Sequence, residues 1–290
     1  MYPDVQGLKP EKRYKITRVG VKNVVKPIFV RRDDQTITLV TTIDIFVDLP
    51  PSKKGSDMSR NIEVISEIVE ESIAKPCSGI ENLASRMVKK VKEKHEYSTY
   101  AEVNLRAEYF LERHTPLGRK TIERYRLIGR ATMDDEGIKK MIGVEVVGMT
   151  ACPCAMETVR AILKEKYGEN IPQNIPVPTH NQRNIATVMV EVPEGYEIEA
   201  NDLIDLIEGS MSSPTYEILK RRDEGEVVIK AHENPRFVED VVREILHRIL
   251  KRYRELPDET MIIVRSESEE SIHKHNAFAE RITTLGELRE

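Results

Sequence analysis

The 290-residue chain has no tryptophan, three cysteines, 5% aromatic residues and glutamine only at positions 6, 35, 173 and 182. Three cysteines, two of them in one tripeptide, cannot make a disulfide framework, so a reducing compartment with metal or thiolate chemistry is expected. No apolar run reaches the ~18 residues of a membrane span, and the first residues lack the charged-then-apolar build of a signal peptide. A cytoplasmic protein that touches no membrane follows as the expectation. No sign of charge dominates either: 45 Lys and Arg stand against 49 Asp and Glu, for a net charge of -4. That balance excludes a generic nucleic-acid binder, so any phosphate site is local. Phosphate-binding P-loop, dinucleotide glycine fingerprint and serine elbow are all missing, which removes the commonest nucleotide and hydrolase signatures. What is plentiful is charge, at 32%. With Lys and Glu abundant, this fits growth at high temperature. A hydrophobic content of 39% over this length supplies one large or two ordinary cores without a staple.

Residues 36–49 alternate, with Ile37, Leu39, Ile43, Ile45 and Val47 on one face and Thr38, Thr42, Asp44 and Asp48 on the other. This is the period of a half-buried strand. Helical spacing follows at Ile62, Ile65, Ile68, Val69 and Ile73, then at Leu83, Met87, Val88 and Val91, with a stop at 75–79 between them. Strand patterns return at 99–111, 122–132, 140–149 and 185–192, and a rigid proline-rich loop is expected at 172–178. Helices are expected around 201–210, 214–222 and 235–252, with a last strand near 260–265. The order suggests one chain, 1–290, holding a duplicated α+β unit of antiparallel sheet with a helix pair, in halves 15–135 and 136–290.

Four places carry groups with chemistry. In Gly148-Met149-Thr150-Ala151-Cys152-Pro153-Cys154 a strand ends and Pro153 suits the first helical position, so Cys152 becomes the cap. Unpaired N–H groups and the helix dipole favour a thiolate there, ready to bind metal or attack an electrophile. The plainer alternative is two small side chains closing a turn. His180, in Thr179-His180-Asn181-Gln182-Arg183-Asn184, is either a metal ligand at a strand edge or a solvated loop residue. Glu217 and Glu233 lie on either side of a charged stretch. Asn234 and Pro235 read as the cap and first residue of the next helix, so Glu233 either complements its dipole or accepts two N–H bonds from guanine. Glu270, His273 and His275 offer general acid and base groups with a cation for phosphate, or else form a solvated tail.

Taken together, five segments resemble the metal-dependent GTP cyclohydrolases of type IB and, more closely, the archaeal type IV enzymes of the methanopterin pathway. They are Cys152-Pro153-Cys154, Thr179-His180-Asn181-Gln182-Arg183, Leu219-Lys220-Arg221-Arg222-Asp223-Glu224, His232-Glu233-Asn234-Pro235-Arg236-Phe237-Val238-Glu239-Asp240 and Glu270-Ser271-Ile272-His273-Lys274-His275-Asn276. The match runs in order from about residue 36 to 280. The resemblance implies a tunnelling fold with two units per subunit, and a homo-oligomer, dimer or tetramer, with active sites at subunit interfaces. It implies GTP as substrate, opened at carbon 8 with release of formate. The archaeal branch, favoured by the long segment between Cys154 and His180, implies 7,8-dihydroneopterin 2′,3′-cyclic phosphate and pyrophosphate as products. Type IB chemistry implies dihydroneopterin triphosphate instead.

Carried across residue by residue, the resemblance makes Cys152, His180 and Glu217 the metal shell and Glu233 the purine anchor. It makes Glu270 and His273 acid and base groups, beside Cys152 in the catalytic set, and gives His275 to phosphate or a leaving group. The implied metal is Fe(II), with Zn or Mn able to stand in its place; mixed S, N and O donors do not choose between Fe(II) and Zn. Two rival readings stay open. One is another tunnelling-fold pterin or purine enzyme using a covalent cysteine, and the other a metal- or purine-binding assembly protein whose polar motifs are structural.

Overall fold

The structure, a computed structural model, describes residues 4–32, 35–168 and 175–290. Part of the proline-rich loop expected at 172–178 therefore lies outside the described residues. In the first half the elements are β1 (Ile16–Arg32), β2 (Gln35–Leu49), α1 (Met58–Ala74), α2 (Ile80–Lys94), β3 (Ala101–His114) and β4 (Lys120–Asp134). The second half holds β5 (Gly137–Ala151), α3 (Pro153–Tyr167), β6 (Asn181–Glu191), α4 (Ala200–Glu208) and the short β7 (Ser213–Pro214). It ends with α5 (Arg221–Glu233), α6 (Val238–Arg252), β8 (Met261–Glu269) and β9 (Ala277–Thr284). Both halves begin and end with strands around helices, but the second places α3 between β5 and β6 and β7 between α4 and α5. The compact units are less simply cut: one holds 1–109, 126–142 and 191–195, the other 110–125, 143–190 and 196–290, so β3, β4 and β5 run through both.

In the first unit β2 pairs antiparallel with β1 on one side and β3 on the other. Ile43, Ile45 and Val47 are fully buried, and so are Val103 and Leu105 beside them. The opposite face of β2 is solvated at its start, where Thr38 is exposed, but not further along. Asp44 and Asp48 are each only 3% exposed, because a central strand leaves its polar face under neighbouring side chains. Asp44 accepts a hydrogen bond from the Asn23 backbone N–H at 2.7 Å and pairs with Arg106 at 3.0 Å. Asn23 sits at φ 59, where β1 slips register between Val21 and Val24. Such a bulge needs a residue that tolerates the left-handed region.

On α1 the buried face is Asn61, Val64, Ile65, Ile68 and Ser72, while Ile62 and Ile73 are exposed. The expected apolar stripe is therefore rotated. On α2 the expected Leu83, Met87, Val88 and Val91 are all buried. A ladder of ion pairs joins these two helices outside: Glu63–Lys94 at 3.1 Å, Lys94–Glu67 at 2.6 Å, Lys90–Glu71 at 2.6 Å and Arg86–Glu71 at 3.0 Å. Linked pairs of this kind hold best when hot.

In the second unit β6 lies between β5 and β8, with β9 at the edge, and α6 packs on β8 and β9. Val144, Val146, Val188, Val190 and Val264 meet Ile204, Ile207, Val241, Ile245 and Ile249 in its core. Truncating one of these isoleucines to alanine costs about 2–5 kcal/mol. One expectation fails here. The segment 214–220 is extended rather than helical, because Thr215 Oγ1 donates to Val147 O at 3.1 Å and the Glu217 N–H to Glu123 at 3.0 Å. Residues 271–276 are exposed, and beyond them the chain adds an unforeseen strand, β9, pairing along β8 from Ser268–Ala277 to Met261–Thr284. No helix among the described residues is long and apolar enough to cross a membrane.

Candidate active site

Cys152 ends β5 and caps α3, with Pro153 in the first turn and the Ala155 N–H donating to Sγ at 3.4 Å. Its backbone is tied to the strand start opposite. The Cys152 N–H donates to His180 O at 3.0 Å, and Thr179 Oγ1 donates to Cys152 O at 2.7 Å. These two bonds set the thiol and the imidazole side by side. His180 Nδ1 faces Gln182 Oε1 at 3.0 Å; donating there leaves the Nε2 lone pair for a metal or an acid.

Glu270, one residue past β8, closes the same cavity. Its side chain is 9% exposed, and Oε2 lies 3.4 Å from His180 Nδ1. That contact lacks hydrogen-bond geometry, since Nδ1 is turned toward Gln182, and the buried oxygen has no hydrogen-bond partner. His273 stands edge-on to His180, with ring centroids 6.1 Å apart. It stacks on His275 at 5.1 Å, so these alternate residues do share a face. Beneath them Ser268 bonds Thr150 at 3.0 Å and accepts from Asn184 Nδ2 at 2.9 Å, tying β8 to β5 and β6. The remaining wall comes from α6 and its approach, Arg236, Phe237, Val238 and Glu239, and from Ala277 and Phe278 at the start of β9.

The cavity therefore gathers Cys152, His180, Glu270, His273 and His275, five of the seven residues singled out in the sequence. Glu217 and Glu233 are not on its wall. Glu217 is exposed in the extended segment before α5. Glu233 is the last residue of α5, and Asn234 is that helix's C-cap, not the N-cap of α6, which starts at Val238 behind Phe237. A carboxylate at a helix C-terminus opposes the dipole, so the dipole role foreseen for Glu233 is also lost. The acid that does sit in the first turn of α6 and on the cavity wall is Glu239.

The family described as type I GTP cyclohydrolase folE2 matches residues 2–279. The chain belongs to this family. It is 44% identical over 305 residues to "GTP cyclohydrolase MptA" of Methanococcus aeolicus, covering 100% of this chain and 99% of that protein. The protein of the same name from Methanothermobacter thermautotrophicus is 44% identical over 302 residues, covering 99% and 95%. Among solved structures, the uricase of Arthrobacter globiformis superposes with a TM-score of 0.52 at 6% identity, over 92% of this chain and 93% of that one. At that identity the likeness shows the fold alone, an α+β tunnelling fold.

Membership makes the chain a GTP cyclohydrolase. Gln182, Arg236 and Glu239 stood inside quoted motifs without an assigned role, and only their place on the wall distinguishes them. For a divalent metal, Cys152 and His180 offer a sulfur and an imidazole nitrogen held in register by backbone bonds, a donor pair that fits Zn or Fe(II). Among the described residues no group of three His, Cys, Asp or Glu converges on one point. The third donor expected at Glu217 is accordingly not gathered with the other two.

Proposed function

We propose that this cavity converts GTP to 7,8-dihydroneopterin 2′,3′-cyclic phosphate, formate and pyrophosphate, the opening step of methanopterin synthesis, in the cytoplasm. The observation that carries the reading is the convergence of Cys152, His180, Glu270, His273 and His275 on one cavity in a chain of this family. Cys152 and His180 would hold the metal, Fe(II) with Zn or Mn as substitutes, with Glu217 as the third ligand. When bound, such an ion lowers the pKa of water and so supplies the nucleophile that carbon 8 of guanine needs.

The chain's own groups do the rest. Glu239 takes over the purine-anchor role from Glu233, since a carboxylate on the cavity wall can accept the paired N–H groups of guanine. Phe237 and Phe278 present exposed rings on the same wall for the flat face of the base. Glu270, unpartnered and next to His180, moves a proton to or from the opening ring together with His273. His275, stacked on His273, faces the α-phosphate, whose phosphorus is attacked by a ribose-derived hydroxyl of the same substrate molecule as pyrophosphate leaves. The protein works as a homo-oligomer, a dimer or tetramer, because β1 and β9 are the end strands of the sheet order, β1 being bridged outward at Val30–Cys77 among the described residues.

Anaerobic incubation with GTP and Fe(II) tests the reading through formate, pterin fluorescence and pyrophosphate. Formate with pyrophosphate supports it. Formate with dihydroneopterin triphosphate as the sole pterin and no pyrophosphate assigns the type IB reaction instead. A metal-free protein with full activity points to the covalent-cysteine alternative, and no formate at all rejects cyclohydrolase chemistry.

A further inference from the structure

Arg236 belongs to the walls of two depressions. One is the cavity just described, and the other runs along the first turns of α6 past Asn234, Asp240, Arg243, Glu244 and His247. The Arg236 backbone is fixed, its N–H donating at 2.9 Å to the carbonyl of Ala151, the residue before Cys152. Its guanidinium is not fixed by anything comparable. The side chain is 22% exposed, and Nη1 stops 3.8 Å from Glu244. That carboxylate is already taken by Arg248 Nε at 2.6 Å, the main reason its pKa lies below the usual carboxylate value. Arg236 Nε is buried with no hydrogen-bond partner.

A buried guanidinium N–H without an acceptor is disfavoured unless something else supplies one, and the guanidinium fork matches a phosphate. The neighbouring carboxylates do not satisfy its Nε. Asp240 accepts from the Phe237 N–H at 3.0 Å and from Arg243 at 3.2 Å, and Glu244 gives Oε1 to Arg248, with Oε2 no nearer than 3.8 Å to Arg236 Nη1. Beyond Arg236 the second depression offers Arg243 and His247, while the cavity on its other side offers Glu239 and exposed aromatic rings. One end suits a base and the other a chain of phosphates.

We propose that Arg236 binds the phosphate chain of the nucleotide, which leaves the cavity over this side chain toward Arg243 and His247. The assignment rests on the reading that the cavity takes GTP, and its test separates the two. The probes are 8-oxoguanosine and its 5′-triphosphate, whose carbon 8 is already oxidised, titrated against metal-loaded wild type, Arg236→Gln and Arg236→Lys. Arg236→Gln is expected to weaken the triphosphate roughly 10- to 100-fold while moving the nucleoside less than about twofold, with Arg236→Lys in between. Equal weakening of both probes, or an unchanged triphosphate affinity, overturns the assignment. Arg243→Gln, at a side chain 73% exposed, serves if Arg236→Gln does not fold. A few-fold loss confined to the triphosphate supports the phosphate track, and no loss overturns it. Wild type that turns GTP over while Arg236→Gln keeps the triphosphate-to-nucleoside ratio removes Arg236 alone; wild type that binds neither probe removes the functional reading with it.

Discussion

In the first unit Asp48 and Glu102 lie buried beside Lys15, Arg18 and Arg130; in the second Glu270 lies nearly as buried beside His180, His273 and His275. The first pair is saturated. Asp48 accepts from the Thr99 N–H at 2.7 Å, Thr99 Oγ1 at 2.6 Å and the Tyr100 N–H at 2.9 Å, and pairs with Lys15 at 2.9 Å. Burial alone would raise its pKa, yet these bonds hold it at about 2. Glu102 takes Arg18 at 3.1 Å, Asn104 at 2.8 Å and the Tyr100 hydroxyl at 3.2 Å. Glu270 keeps a buried oxygen with no hydrogen bond; the arginines do not differ in this way, since Arg130 Nε in the first region is as unpartnered as Arg236 Nε in the second. Similar carboxylates serve as structure where every lone pair is used and as a site where some are left over.

Substitutions can break that contrast, and the largest effect is expected at the thiol. Cys152→Ala should lose bound metal and reduce formate release to the level of a no-enzyme control, with Cys154→Ala losing less; metal analysis beside the activity assay decides, and equal metal content in wild type and Cys152→Ala contradicts the ligand role. Next come the carboxylates. Glu270→Gln should slow formate release roughly 10²- to 10⁴-fold without lowering Tm, because it removes an unpartnered charge. Glu102→Ala should do the reverse, losing about 1–3 kcal/mol in denaturant unfolding with turnover unchanged. Should Glu102→Ala abolish turnover at unchanged stability, the division between the two regions is wrong.

Acid sharpens the comparison from the stability side. His95 is fully buried between Asn61 Oδ1 at 2.9 Å and the Tyr97 hydroxyl at 2.8 Å, and burial, with Arg60 nearby, lowers its pKa from 6.5 to about 4. The unfolded chain therefore binds a proton that the folded chain resists. Its stabilisation is complete above pH 6.5 and is lost as pH falls toward 4, with Asp48 adding a further loss between 3.8 and about 2. Tm measured from pH 7 to 4 should fall, and should fall less in His95→Gln; parallel curves would rule His95 out. The smallest expected effect separates two glutamates on one motif. Glu239→Gln should weaken GTP binding about 5- to 100-fold with metal retained, whereas Glu233→Gln should leave it unchanged. The opposite ranking would restore Glu233 as purine anchor.

Much of the fold was legible as periodicity. The alternation at 36–49, the stripe Leu83, Met87, Val88 and Val91, and the strand-to-helix turn at Cys152-Pro153 all form as read, because each rests on neighbours in sequence. Less visible were elements whose cause lies elsewhere in the chain. The strand β9 has Phe278 and Ile282 exposed, so no buried face marks it, and only pairing with β8 makes it a strand. The segment at 214–220 has helical spacing, but hydrogen bonds to Val147 and Glu123 hold it extended.

What the sequence by itself determined is the chemistry on offer: one capping thiol, an imidazole at a strand edge, and a carboxylate with two histidines after the last predicted strand. Local geometry suffices for that, since capping and alternation depend on residues a few positions apart. Tertiary structure decided which acids join them. Glu233 and Glu239 stand six residues apart in one motif, yet the break at Asn234–Phe237 ends α5 at the first and starts α6 around the second. That break is tied by a backbone bond from Arg236 to Ala151, some 85 residues earlier in the chain, and no local pattern encodes so distant a partner.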